Sequence, residues 1–139
     1  MATNPTSPDD SSDPFAGFEL ISVYTRQNAI DDQVLFDITD AARTSGFKIP
    51  IAATAAVYAY IDPSPELIAA GHSLAERTRL LLDVLYFAAA VYPDRSEVHF
   101  KVFFILSPGC PPEPVPLKAL CHPGDDGEPV LTILLPNED

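Results

Sequence analysis

The sequence predicts an α+β fold, in which two to three helices pack on one face of a largely antiparallel sheet of about five strands. Segments rich in β-branched and aromatic residues open the chain, helical segments follow, and from Glu97 the apolar period changes from 3.6 to 2. Strands and helices therefore come in separate groups and do not alternate. The 139 residues are enough for one domain with its own core.

The first fourteen residues are Ser, Pro, Asp and Asn without apolar periodicity, which predicts a disordered acidic tail and a single domain over residues 15–139. Residues 18–25 (FELISVYT) and residues 33–38 (QVLFDI) read as strands. The polar residues 26–32 (RQNAIDD) are expected to connect them. Both strands carry apolar residues on each face, which indicates coverage from two sides or a central place in the sheet.

Three helical segments follow. Residues 39–47 predict a short helix with Thr39 as N-cap and Gly46 as its left-handed end. Residues 50–63 predict a second helix, with Pro50 in its first turn and Pro63 as terminator, although AVYAYI alone could be a strand. Residues 64–71 follow as a loop or one extra turn.

The strongest helix prediction covers residues 73–92. Ser73 and Glu76 have the spacing of a capping box. Two apolar stripes follow, one formed by Leu74, Leu81, Leu85, Ala88 and Tyr92, the other by Leu80, Val84, Phe87 and Val91. A helix apolar over most of its circumference is central or lies at a subunit interface, and we expect a central position. A homodimer through the uncharged residues 84–92, from Val84 to Tyr92, is the alternative.

A three-strand meander closes the chain. Val98, Phe100, Val102, Phe104 and Leu106 share one strand face, and His99 and Lys101 point the other way. Residues 107–116 read as a loop, and residues 117–122 and 130–136 as two further strands. The segment between these strands, PGDDGEP, combines strand-ending prolines with two turn glycines, so a hairpin turn explains it. Asp125, Asp126 and Glu128 in this turn could also contact a basic partner, or ligate Mg²⁺ or Ca²⁺.

The net charge of −12 is the most informative feature of the overall composition. Such a field repels nucleic acid and anionic membranes and attracts basic protein surfaces, so we expect neither direct nucleic-acid binding nor membrane binding. The uncharged runs are too short for a transmembrane helix, and the N-terminus lacks the regions of a signal peptide. We therefore expect a cytoplasmic protein.

No residue pattern predicts catalysis, a cofactor or a metal. His72, His99, Cys110, Cys121 and His122 lack zinc-ligand spacing, and Cys121 is more simply a small core residue. A Cys121–His99 nucleophilic pair would have no orienting group. We therefore expect that the protein is not an enzyme. A second acidic group, Asp31, Asp32, Asp37 and Asp40, suits ordinary structural roles such as the positive end of a helix.

Two phrases, ELISVYTRQNAIDDQVLFDITDAARTSGFKIPIAATAAV and LKALCHPGDDGEPVLTILLPNED, together resemble an uncharacterised family of small acidic proteins encoded on bacterial plasmids, phages and integrative elements. The resemblance covers roughly residues 18–61 and 116–139. It implies a domain of unknown function with no established reaction, cofactor or catalytic residue. It also implies a mobile-element setting, in which small acidic proteins often inhibit host defence systems such as restriction or CRISPR enzymes.

Together, charge and resemblance predict a non-catalytic binding protein that occupies the basic nucleic-acid-binding surface of such an enzyme. Its candidate partner-binding residues are Asp31, Asp32, Asp125, Asp126 and Glu128. The alternative is a small enzyme or ligand-binding domain with a pocket between the sheet and the long helix. Its candidate lining residues are Tyr24, Tyr58, Tyr60, Tyr86 and His99.

Overall fold

The computed structural model describes residues 24–138. Within them the helices are α1 (Arg26–Asp31), α2 (Thr39–Thr44), α3 (Ala55–Ile61), α4 (Pro65–Ala69) and α5 (Leu74–Val91). The strands are β1 (Leu35–Asp37), β2 (Ile51–Thr54), β3 (Glu97–Phe104), β4 (Glu113–Pro123) and β5 (Pro129–Leu134). The predictions for residues 1–14 and for a strand over residues 18–23 lie outside the described residues.

The strands form one sheet in the order β1-β2-β5-β4-β3. The β2–β5 pair is parallel, and the other three pairs are antiparallel. The α+β class and the largely antiparallel five-stranded sheet are therefore confirmed, as is the meander β3-β4-β5. Because β5 lies between β2 and β4, the last strand of the chain joins the N-terminal half of the sheet to the meander.

The core lies on one face of the sheet, between the strands and helices α2, α3 and α5. The helices contribute Ala42, Val57, Ile61, Leu81, Leu82 and Leu85, and the strands contribute Ile51, Val102, Phe104, Leu117 and Ile133. Three helices on one face match the sequence prediction. Along β3 buried and exposed residues alternate as predicted, with His99 and Lys101 exposed.

Helix α1 lies against the opposite face. Thr132 directly precedes Ile133, whose side chain lies in the core, so the Thr132 side chain points to the opposite face of the sheet. The Arg26 guanidinium donates to the Thr132 hydroxyl over 2.7 Å and to the carbonyl of Leu131 over 2.8 Å. Ala29 of this helix is buried. The prediction of a polar connection over residues 26–32 was therefore wrong.

The ends of α1 explain why the sequence pattern did not reveal it. Thr25, predicted to end a strand, is the N-cap, and it forms a capping box with Asn28. At the C-terminal end Gln33 adopts a φ of 61°, where glycine or asparagine is the usual helix-ending residue. Of the strand predicted over residues 33–38, the central part is confirmed and forms β1.

Helix α2 is confirmed, but its N-cap is Ile38 and not Thr39. The Thr39 hydroxyl is engaged elsewhere, because it accepts from the amide of Ile51 over 3.1 Å and contacts the Asp37 carboxylate. Gly46 has a φ of 105°, as its predicted left-handed role requires. Hydrogen bonds from Thr39 thus tie the start of α2 to β2.

The helix predicted over residues 50–63 is half wrong. Ile51, Ala52 and Ala53 form a buried strand between β1 and β5, because sheet pairing outweighs the helix propensity of alanine. Helix α3 begins only after Thr54, whose side chain accepts from the amide of Val57. AVYAYI is therefore helical, and α4 is the extra turn predicted for residues 64–71.

The loop predicted over residues 107–116 ends earlier than expected, because Glu113 already belongs to β4. Pro114 and Pro116 are tolerated there because β5 reaches β4 only from Lys118 onward. No hydrogen bond to β5 is therefore lost because the prolines have no backbone N–H.

The long helix is confirmed as α5, and the Ser73 hydroxyl accepts from the amide of Glu76 over 3.1 Å. The expectation that this helix occupies a central position is not confirmed, since only one side of the helix is buried. Leu80, Phe87 and Val91 of the second apolar stripe are exposed. Helix α5 thus covers one face of the sheet, and no part of residues 24–138 covers its outer side.

Arg77 holds α5 to its surroundings from a buried position. Its guanidinium donates to the carbonyls of Tyr60, Ile61 and Ile105 over 2.6, 3.0 and 2.8 Å. It also lies 5.0 Å from the centre of the Phe104 ring. Burial lowers the pKa of Arg77 from its usual value. One side chain thus joins the end of α3, the end of β3 and helix α5.

Arg77→Ala should lower the free energy of unfolding by about 3 kcal/mol, because three inward carbonyls lose their donor. The control is Arg79→Ala, two residues after Arg77, which removes an exposed ion pair with Asp83 and should change stability by less than about 0.5 kcal/mol. Urea unfolding followed by circular dichroism measures both. Equal losses in the two variants would contradict this role of Arg77.

Candidate functional site

The hairpin loop between β4 and β5 is closed by backbone hydrogen bonds. Pro123 and Pro129 form the last pair of the ladder, as predicted. The amide of Gly124 donates to the carbonyl of Glu128 over 2.6 Å. Gly127 has a φ of 83°, as expected, but Gly124 has no positive φ. A Cβ at position 124 would lie 2.8 Å from the movable Glu128 carboxyl group and 2.9 Å from the side chain of buried Val130, so glycine fits this position best.

Asp125 attaches this loop to α1. Its two carboxylate oxygens accept from the amides of Arg26 and Gln27, over 2.7 and 3.1 Å, across 99 and 98 residues of chain. The first amides of a helix have no partner within the helix, and a carboxylate there also interacts favourably with the helix dipole. Asp125 therefore caps a helix that belongs to the other half of the chain.

Asp31 and Asp32 lie at the opposite end of the same helix. Asp31 accepts from the Gln27 side chain over 2.9 Å, and Asp32 accepts from the Tyr24 hydroxyl over 2.8 Å. The hydrogen bond to Asp32 raises the pKa of Tyr24 above its ordinary value. The hairpin acids lie near the start of this helix, and Asp31 and Asp32 lie at its end. The five predicted partner-binding acids are therefore grouped at the two ends of one short helix, whose six residues span about 9 Å.

Beside α1 the loop borders an acidic cleft of about 220 Å³. Its lining includes Asp37, Asp125, Asp126, Glu128 and Arg26. Asp37 was assigned an ordinary structural role, and it does accept from the amide of Thr39 over 3.0 Å. Its position in the cleft could not be read from the sequence, since it depends on where β1 and the hairpin meet.

Arg26 is the one cationic residue among those lining this cleft, and the sequence reasoning missed it. Burial lowers the pKa of Arg26, and the nearby carboxylates of Asp37, Asp125 and Glu128 act in the opposite direction. The guanidinium donates to Thr132 and Leu131 and to none of these acids. Four carboxylates therefore share the cleft with one partly buried cation.

His122 supports Arg26 from β4. Its Nδ1 lies 3.0 Å from the carbonyl of Pro123, and its Nε2 lies 2.7 Å from the Thr132 hydroxyl. Nδ1 can only donate to a carbonyl, so in the neutral ring Nε2 accepts from Thr132. Thr132 in turn accepts from Arg26. His122 and Arg26 are thus joined through the Thr132 hydroxyl.

The sequence did contain a feature that could have drawn attention to Arg26. It is the only basic residue before Arg43.

The predicted acids are not paired with cations. Within residues 24–138 the ion pairs are Arg43–Asp40, Arg79–Asp83 and His99–Glu97. None of them includes Asp31, Asp32, Asp125, Asp126 or Glu128, and all five acids are exposed. No direct ion pair among the described residues therefore neutralises these five acids, although Arg26 lies near Asp125 and Glu128.

The alternative pocket is present but lacks most of its predicted lining. A cavity of about 290 Å³ lies between β1, α3 and α5, and among the five candidate residues Tyr58 lines it. Tyr24 instead borders a larger cavity of about 520 Å³ beside α1, and His99 a third of about 200 Å³. Tyr86 packs edge-on against Phe47. The candidates are thus distributed over several places.

The hypothetical Cys–His chemistry finds no support. Cys121 is exposed, so its expected core position was wrong. His99 pairs with Lys118, three residues from Cys121 along β4, so the two side chains point to opposite faces. In the part of the chain that the structure describes, no three His, Cys, Asp or Glu residues are grouped so that they could hold a metal ion.

The fold and the cleft define a small α+β protein with an exposed acidic site. The chain belongs to the family of unknown function DUF6573, whose model matches residues 12–139. No curated protein and no solved structure matches it. None of the helices over residues 24–138 has both the length and the apolar character needed to cross a membrane.

Asp125→Ala should lower the free energy of unfolding by about 1 kcal/mol, because α1 loses the acceptor at its first amides. The amide hydrogens of Arg26 and Gln27 should then exchange faster with solvent. Asp126→Ala is the matched control, since this exposed neighbour should change stability by less than about 0.5 kcal/mol. Denaturant unfolding measures the stability of both variants, and NMR measures their amide hydrogen exchange. Equal behaviour of the two variants would disprove the capping role of Asp125.

Proposed function

We propose that this protein is a non-catalytic binding protein that acts through the acidic surface formed by α1 and the β4–β5 hairpin. The surface consists of Asp31, Asp32, Asp37, Asp125, Asp126 and Glu128. Its partner is a basic protein surface, of the kind that nucleic-acid enzymes use to hold phosphates. The setting is the cytoplasm of a bacterium that carries a mobile genetic element, and the partner is a host defence enzyme such as a restriction or CRISPR nuclease.

The observation that carries this proposal is the capping contact of Asp125. Without it, the hairpin acids and the α1 acids would be two separate groups from distant parts of the chain. With it, acids from both segments lie at the two ends of one helix, whose six residues span about 9 Å.

The charge balance supports the same partner. Three of the net twelve negative charges come from residues 1–14, so most of the excess lies on the remainder of the chain. A field of this sign accelerates association with a basic groove and disfavours binding to nucleic acid itself. The mobile-element setting rests on the resemblance of the two sequence phrases, and the defence enzyme rests on that setting.

The alternative, a ligand-binding domain or small enzyme, has weaker support. The predicted cavity between the sheet and α5, about 290 Å³, lies at the lower limit for small-molecule sites, about 300–1,000 Å³, and the larger cavity of about 520 Å³ is lined by no residue of α5. Of its polar lining, Asp37 and Asp40 are exposed carboxylates at the rim. We therefore give precedence to the acidic surface.

Affinity capture from a bacterial lysate, with mass spectrometry of the bound proteins, tests the proposal. The site variant combines Asp31→Asn, Asp32→Asn, Asp126→Asn and Glu128→Gln, and keeps Asp125 because α1 depends on it. The control variant removes the same charge elsewhere, by Asp62→Asn, Glu66→Gln, Asp94→Asn and Glu113→Gln. We expect a nucleic-acid-handling enzyme to be captured at low salt by the wild type and the control, and lost from the site variant.

Screening by salt should weaken the complex, because exposed charges interact little beyond a Debye length of about 10 Å at 0.1 M salt. Purified partner and protein would then show a dissociation constant that rises with salt. Capture that is equal for the site variant and the control, or indifferent to salt, would refute an acidic contact surface.

A further inference from the structure

The outer side of α5 carries a row of apolar side chains that nothing among the described residues covers. Leu80, Phe87 and Val91 are 41%, 74% and 55% exposed, and Val84 lies between them. Their spacing of four, three and four residues places them in one row along the helix. From Val84 to Tyr92 the helix carries no charge, in a chain whose net charge is −12. Such a row is typical of a helix-packing surface.

This row faces the β3 edge of the sheet. Tyr86 lies on the other flank of α5, where its ring contacts Phe47 near α2 at a centroid distance of 5.3 Å. Helix α5 packs more extensively against β3 than against any other strand. Because β3 is the last strand in the sheet order, the flank opposite Tyr86 points out over that edge.

Strand β3 is itself a suitable edge for pairing. It has eight residues, with regular alternation of buried and exposed positions and no proline. Of the described strands, β4 is its one neighbour. An uninterrupted edge strand presents a row of amides and carbonyls that can pair with another strand.

The charges on β3 are self-complementary. Glu97 and Lys101 lie on the same exposed face, two residues before and two residues after His99. In an antiparallel pair of β3 strands centred on His99, each Glu97 therefore lies opposite a Lys101. Centring the pair on Lys101 instead would place like charges opposite each other, which destabilises a sheet.

We propose that the β3 edge and the apolar row of α5 together form a two-fold interface with a second copy of this chain. Paired strands lie about 4.8 Å apart, and packed helices about 8–10 Å apart. The two-fold axis would thus run about 2.4 Å outside β3, with each α5 about 4–5 Å from it, above the outer strands. Strand pairing and helix packing are therefore compatible with one axis.

This interface is independent of the proposed partner surface, and salt separates the two. Each copy carries a net charge of −12, so the copies repel each other outside the neutral α5 row and the complementary charges of β3. Added salt screens that repulsion and should strengthen the dimer. Binding of a basic partner should weaken with salt. Failure of one proposal can therefore be distinguished from failure of the other.

Sedimentation of the purified full chain over a wide concentration range tests the interface. We expect a reversible dimer, with a dissociation constant raised at least about 30-fold by Phe87→Asp. The matched control is Ile68→Asp on α4, since Ile68 is 57% exposed and lies outside the interface. It should dimerise like the wild type. Thermal unfolding of each variant shows whether the monomer is still folded.

The register is tested by exchanging charges. Glu97→Lys and Lys101→Glu should each weaken the dimer about 10-fold, and the double variant should recover, because opposite charges again face each other. A wild-type monomer at all concentrations would overturn the proposal, and this edge would then be covered in another way. A dimer that persists in Phe87→Asp would overturn it as well.

Discussion

The contact between the Asp125 carboxylate and the first amides of α1 determines what this molecule can present to a partner. The hairpin and α1 are separated by almost one hundred residues, and each carries acids that would otherwise act alone. Asp125 cannot make this contact unless the hairpin tip is close to the start of α1. That proximity arises because β5 pairs with β2, which brings the C-terminal meander beside the N-terminal strands.

The same topology separates two surfaces. The acidic cleft lies at the β1 and β2 side of the sheet, whereas the α5 row and β3 lie at the other edge. A dimer formed at the β3 edge would thus carry two acidic surfaces free for binding. If a partner offers two basic sites within reach, the second contact becomes intramolecular and the overall affinity rises without any new residue.

The sequence predicted those parts of the fold that have local signals. The period-two pattern of β3, the cap at Ser73 and the prolines around the acidic loop all lead to the observed elements. Helix α1 was missed because it is short and because the left-handed residue that follows it is Gln33 and not a glycine. The strand at Ile51 was missed because its alanines favour helix, and only its neighbours in the sheet decide otherwise. Charge and turn composition led to the prediction of the five acids, but Asp37 and Arg26 come near them only through tertiary pairing.

The central claim is that acids from the two segments form one surface. Titration of the ¹⁵N-labelled protein with a lysine-rich peptide, followed by NMR, tests it most directly. We expect the amides of Asp31, Asp32, Asp126 and Glu128 to shift together, with one dissociation constant that is the same at all four positions. Separate constants for the α1 and hairpin amides, or equal shifts at every acidic residue of the chain, would contradict the account.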